Sequence, residues 1–299
     1  MAPSTHAALP DPRNADVLVY VDGEFVHRDD AAVSVFDSAF LIGDGIWEGM
    51  RYHQGRFLHL DRHLDRLFAT ADAVYLDIGK TREELVEILQ ATVDRNRMTT
   101  DAHARLMITR GTKRTALQDP RLSTRPTIVV IAEWKVGDPT LAADGLRLHT
   151  ASVRRPPPTT LDQRWNSHSK LHEVVALSEA IAAGADEALM LDIEGNVATC
   201  NSTNFFIVRD GALWTSTGEH CLNGITRATV IELARGAGLA VREGAFTVEE
   251  VYAADEAFVT GTFGGLTPAV TLDGRTIGNG TVGPVTQRLA IAYREALDQ

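Results

Sequence analysis

Three of the Asp-Gly pairs in this chain, Asp22-Gly23, Asp210-Gly211 and Asp273-Gly274, each interrupt short apolar runs. Such a pair is the strongest short-range sign of an antiparallel hairpin, because both residues accept the left-handed backbone that suits strand twist. The chain must therefore build antiparallel sheet near its start and again in its second half. Strand patterns are read at 17–21, 24–26, 33–36, 104–109, 127–132, 146–151, 188–191, 204–208 and 257–260. Helices fall between them. Leu60, Leu64, Leu67, Phe68 and Ala71 share a face over 60–74, and Thr81 with Glu84 forms a capping box opening a helix to about 97. Asn223-Gly224-Ile225-Thr226-Arg227 opens another that Gly236 and Gly238 end, Thr247 with Glu250 caps a short one, and a last begins near Pro284.

Periodicity stops over 135–144, where Gly, Pro and Asp gather. A chain of 299 residues, 44% of them apolar, can fill two cores of ordinary size. The expected division is a flexible lead-in over 1–16, an N-terminal α/β domain over 17–134, a linker over 135–144 and a second domain over 145–299. A net charge of −11 argues against nucleic acid as a partner. No run approaches the length of a membrane span, and the first sixteen residues lack the apolar middle of a signal peptide. Cys200 and Cys221 give neither a disulfide framework nor a metal set, so a cytoplasmic protein without a metal is expected.

The chain has four lysines among its 29 basic residues, so the place of each amine is informative. Lys80 opens a polar helix start, Lys113 lies in a charged loop and Lys135 leaves a strand at its polar end; solvation explains all three. Lys170 is followed by Leu171, Val174, Val175, Leu177 and Ile181 at helical spacing, which places its amine at the mouth of an element that enters the core. A lysine there either snorkels or serves as a base or covalent nucleophile. Two segments could hold a dianion: the helix start Gly224-Ile225-Thr226 and the glycine-rich turn over 261–265. Beside a sequestered lysine they suggest a phosphorylated aldehyde cofactor. Over 43–57, Ile46, Glu48, Met50 and Tyr52 fall on one face and Trp47, Gly49, Arg51 and His53 on the other, so charge lies on both faces.

Taken in order, FDSAFLIGDGIWEGMR, HLDRHLDRL, RLMITRGT, SKLHEVVALSEA, DEALMLDIEGNVATCNSTNFF, NGITR and GTFGGLTP resemble the motifs of the class IV, fold-type IV pyridoxal-phosphate aminotransferases. That family includes branched-chain and D-amino acid aminotransferases, (R)-amine transaminases and aminodeoxychorismate lyase. The resemblance runs from about Val19 to Glu295. It implies a two-domain α/β and α+β fold, with a smaller N-terminal α/β sandwich and a C-terminal pseudo-barrel that binds pyridoxal 5'-phosphate. It also implies a homodimer, and ping-pong transfer of an amino group from a small-molecule amino donor to a 2-oxo acid acceptor.

By position, Lys170 resembles the Schiff-base lysine and proton shuttle. Arg66 resembles the arginine that pairs with the cofactor phosphate, beside Gly224, the amides of Ile225 and Thr226, and the Thr262 hydroxyl. Ser202 falls where a small residue packs behind the pyridine ring. Arg51, His103 and Arg105 fall on substrate-side strands, where a salt bridge is the ordinary alternative for the two arginines. The amides of Thr262 and Phe263 resemble those that hold a substrate carboxylate. Thr199 stands where the family carries a glutamate for the ring nitrogen, so the electron sink is expected to be weaker. Val175 and His103 stand where branched-chain enzymes carry tyrosines, which leaves the substrate branch open. Lyase chemistry and a cofactor-binding protein with lost catalysis remain as alternatives. Ser167-His168-Ser169-Lys170 also matches a serine-nucleophile motif, without its companion motifs.

Overall fold

The computed structural model describes residues 4, 5 and 8–298. They form two compact units, one of residues 8–136 with 165–170, the other of residues 4, 5, 137–164 and 171–298. The first three residues of the expected lead-in, and residues 6 and 7, lie outside the described residues; its end, Pro12–Asp16, is a turn of 3-10 helix.

The N-terminal unit runs β1 (Leu18–Val21), β2 (Glu24–His27), α1 (Ser38–Ile42), β3 (Gly45–His53), β4 (Arg56–Phe57), α2 (Leu60–Ala73), α3 (Arg82–Arg95), β5 (Ala102–Thr109) and β6 (Thr127–Trp134). Its six strands form one antiparallel sheet in the order β2-β1-β6-β5-β3-β4. The Asp22-Gly23 hairpin joins β1 to β2 with both residues at positive φ. Leu64, Leu67 and Ala71 of α2 and Leu85, Leu89 and Val93 of α3 pack with Ile46 and Met50 of β3 and Leu106 and Ile108 of β5. The capping box is present: Thr81 accepts from the Glu84 amide and Glu84 from the Thr81 amide, a pair of bonds worth about 1 kcal/mol.

Two expectations fail in this unit. Residues 33–36 are not a strand, because the Ser34 hydroxyl and carbonyl take the amides of Phe36 and Asp37 in a turn that leaves Val35 64% exposed. Lys113 is not solvated. It is 3% exposed and its Nζ donates to the Asp119 carbonyl at 3.1 Å, where the following loop folds back over it.

The C-terminal unit runs α4 (Pro139–Asp144), β7 (Leu146–Thr150), α5 (Leu171–Ala182), β8 (Glu187–Leu191), β9 (Val197–Cys200), β10 (Asn204–Arg209), β11 (Ala212–Thr215), α6 (Ile225–Gly236), β12 (Val241–Glu243), α7 (Val248–Tyr252), β13 (Glu256–Gly261), β14 (Gly265–Leu272), β15 (Arg275–Thr276) and α8 (Pro284–Leu297). Nine strands make one mixed sheet in the order β12-β11-β10-β13-β14-β7-β8-β9, with β15 paired to β14. Its core gathers Leu146, Leu189, Phe205, Ile207, Phe246 and Val259. The stretch read as linker holds α4, opened by Asp138 and Pro139.

Helix α5 does not bury its large apolar residues. Leu171, Val174, Val175 and Ile181 are 76%, 57%, 40% and 58% exposed, while Ala176 and Ala180 pack on Ala188 and Met190 of β8. Glu173 explains the rotation. Its carboxylate accepts from the buried Arg155 guanidinium at 2.7 Å, which draws the Glu173, Ala176 and Ala180 face inward.

Candidate active site

In the N-terminal unit, residues 165–170 run beside β3 as an added edge. The Trp47 amide donates to the Asn166 carbonyl at 2.9 Å and the His168 amide to the Gly45 carbonyl at 2.8 Å. The Ser169 hydroxyl reaches the Gly43 carbonyl at 3.2 Å, and the Lys170 amide donates to the His168 carbonyl. Lys170, half-buried, is thus positioned by sheet contacts before α5 begins. Burial first, then the nearby Arg105 charge, lowers the His168 pKa, and its Nε2 has no hydrogen-bond partner.

Arg66 on α2 is held by a residue the motif reading did not assign. Glu48 of β3 accepts from Arg66 Nε and Nη2, both at 2.7 Å, and lies 2.7 Å from His63 Nδ1. Burial pushes the Glu48 pKa up, but the Arg66 charge and the bonds from Arg66 and His63 outweigh it, so the carboxylate lies below its usual range. Its sequence signal was a charge on the apolar face of β3, between Ile46 and Met50.

The opposite face of that sheet carries the predicted substrate residues. Trp47 pairs with Met107, Gly49 with Arg105 and Arg51 with His103. Arg105 stacks over the Trp47 ring, 3.8 Å from its centroid. A Cβ on Gly49 would lie 3.0 Å from the His103 ring, so this glycine lets the imidazole cross β3. Arg51 has the ordinary alternative in part, with Asp101 at 4.0 Å.

In the C-terminal unit the remaining residues gather at one end of the sheet. Gly224 caps α6 with no side-chain hydrogen bond, so the first amides of a 12-residue helix, including those of Ile225 and Thr226, point outward with the positive end of its dipole. Asn204 holds that start: its Nδ2 donates to the Leu222 carbonyl at 2.9 Å, and its Oδ1 occupies the space a Cβ on Gly224 would take. Asn204 pairs with Thr260 across β10 and β13, two residues before Thr262 and the turn carrying Phe263. The buried Thr260 hydroxyl has no partner. Ser202 is exposed at the turn from β9 to β10, and Thr199, 2% exposed, donates to the Thr203 carbonyl at 2.7 Å. The first amides of α6, the orphaned hydroxyl and the small Ser202 fit a planar phosphorylated ligand. Asp192, Glu194 and His220 also bring ligand atoms within 4.8 Å of one another, but Asp192 already accepts from the Glu194 and Asn196 amides of its own turn.

The model of the amino-transferase class IV family matches residues 45–272. The chain is 42% identical over 293 residues to branched-chain-amino-acid aminotransferase-like protein 2 of Arabidopsis thaliana. That match covers 97% of this chain and 52% of the relative, so the chain spans about half that protein's length. It is 38% identical over 287 residues to the branched-chain-amino-acid aminotransferase of Pseudomonas aeruginosa, covering 93% of this chain and 92% of that protein. Among solved structures, the T.th. branched-chain amino acid aminotransferase with pyridoxamine 5'-phosphate matches with a TM-score of 0.89 at 33% identity, covering 94% of each chain. The mixed α/β fold built on these two sheets is the one expected from the motifs. No helix of the described residues is long and apolar enough to cross a membrane. With the family match running from the first residue of β3 to the last of β14, the chain belongs to the class IV aminotransferases.

Proposed function

We propose that this protein is a pyridoxal 5'-phosphate-dependent aminotransferase that moves the amino group of a branched-chain L-amino acid to a 2-oxo acid. The observation that carries the reading is the start of α6, where a glycine leaves the amides of Ile225 and Thr226 without a side-chain cap, in a family whose motif supplies Lys170. When bound, the cofactor supplies an aldehyde carbon that exchanges amines and a conjugated ring that withdraws electrons.

Lys170 would offer the amine that holds that carbon and a base for the substrate's α-proton. In the C-terminal unit the amides of Ile225 and Thr226 and the Thr262 hydroxyl would hold the phosphate, and in the N-terminal unit Arg66, its guanidinium plane fixed by Glu48, would offer a phosphate a paired charge. Ser202 would back the ring and Thr199 would lie at its nitrogen. The amides of Thr262 and Phe263 take the substrate carboxylate. Arg105, with His103 and Arg51 nearby in register, takes the second carboxylate of a dicarboxylic acceptor, and Trp47 and Met107 offer apolar contact to the donor side chain. Two buried free thiols agree with a reducing, cytoplasmic setting, and the exposed apolar residues of α5 agree with a homodimer.

The test loads purified protein with pyridoxal 5'-phosphate and adds L-leucine, D-alanine or an (R)-amine separately, following pyridoxamine phosphate formation. The expected result is conversion with L-leucine and none by Lys170→Ala. Conversion with D-alanine alone would overturn the donor assignment, and failure to take up the cofactor would overturn the reading. Sedimentation reads the oligomer, with a monomer excluding the dimer.

A further inference from the structure

Thr199 looks at first like a lost charge, yet its hydroxyl is engaged in one direction. Its Oγ1 donates to the Thr203 carbonyl at 2.7 Å within a strand whose four residues are all buried. The same carbonyl accepts from the Cys200 amide at 3.0 Å, and the Thr203 hydroxyl donates to Glu187 at 2.7 Å. Every proton in this chain of bonds therefore points into the protein, and the Thr199 oxygen presents only lone pairs to anything on its other side.

The geometry points to Thr199 as a hydrogen-bond acceptor for a protonated ring nitrogen, so the cofactor is held as the pyridinium although no carboxylate stands at that position. The inference rests on the function proposed above, which sets Thr199 at the ring nitrogen. A hydroxyl with a free proton would favour the opposite state, donating to an unprotonated pyridine. Protonation is what makes the ring an electron sink, so the orientation of one hydroxyl replaces part of what a glutamate would supply.

The charges around β9 do not oppose this. On the neighbouring strand β8, Glu187 is fully buried and accepts from Thr203 and Thr5; burial raises its pKa and these hydroxyls lower it. The cation of Arg155, whose Nη2 donates to the Cys200 carbonyl, is matched by Glu173. The Cys200 thiol stays protonated, its pKa raised well above the usual value by burial.

The test uses the holoenzyme loaded with cofactor labelled with nitrogen-15 in the ring, whose chemical shift reports ring protonation directly. The expected result at neutral pH is a protonated nitrogen in the wild type and in Thr199→Ser, which keeps the hydroxyl. Thr199→Val keeps the shape and removes the lone pairs, and its resonance is expected to move to the unprotonated position. Should Thr199→Val fail to fold, the wild type and Thr199→Ser decide alone. An unprotonated nitrogen in the loaded wild type would overturn the inference and leave the proposed function standing. A protein that takes up no cofactor would overturn both.

Discussion

Glu48 has no exposed surface, yet it is ionised, because Arg66 and His63 reach its carboxylate at 2.7 Å. Removing one partner of such a buried group typically costs about 3–5 kcal/mol, since the other charge is left uncompensated. Glu48→Gln is therefore expected to lower stability by about that amount at neutral pH and to loosen the Arg66 guanidinium. The folded pKa of Glu48 is depressed, so its contribution is fully present above its ordinary value of 4.5 and is lost as pH falls through the folded value. The gap between wild type and variant in urea denaturation should accordingly shrink on acidification; an equal gap at neutral and acid pH would contradict this account. The sequence showed a charge on an apolar face, and placed Arg66 by motif. It could not show that the two meet, because they are 18 residues apart on a strand and a helix.

Helices α6 and α8 of the C-terminal unit both begin after glycine without a side-chain bond from the cap itself. At α8 the Glu256 carboxylate supplies what is missing, accepting from the amides of Val285 and Thr286 at 2.9 and 2.7 Å. At α6 the neighbouring side chain does something else: Asn204 donates to the Leu222 carbonyl, which positions the loop and leaves the first amides of the helix uncapped. Gly224→Ala would drive a Cβ into Asn204 Oδ1, at an expected cost of about 1–3 kcal/mol with weaker uptake of pyridoxal 5'-phosphate. Gly236→Ala, at the other end of the same helix, has open space around its Cβ and is expected to stabilise by about 0.4–1 kcal/mol with uptake unchanged. Thermal melts and cofactor titration of the pair check this, and equal effects of the two would refute it. Local signals were legible: the capping boxes at Thr81 and Thr247 and the α6 start are written within four residues of chain. Signals that depend on a distant partner were not. Glu256 caps α8 from 30 residues away, and Glu173 turns α5 toward Arg155 against the apolar spacing of Leu171, Val174 and Val175.

The chain passes between its two compact units repeatedly, and the short return over 165–170 is the passage that carries Lys170. Reading the sequence in order assigned that stretch to the second domain, since nothing local marks Asn166 and His168 as partners of Trp47 and Gly45 more than a hundred residues earlier. Placing the lysine segment on β3 makes its rigidity a property of the N-terminal core. Leu85 of α3 is fully buried in that core, and Leu85→Ala is expected to cost about 2–5 kcal/mol there. Amides whose exchange requires opening of that unit should then exchange faster by about one and a half to three and a half powers of ten. The Trp47 and His168 amides should accelerate together with those of β5, while the amides joining β10 to β13 keep their wild-type rates. Hydrogen exchange read residue by residue decides the matter: acceleration at β5 without His168 would mean that the lysine segment is held by something other than the sheet it lies against.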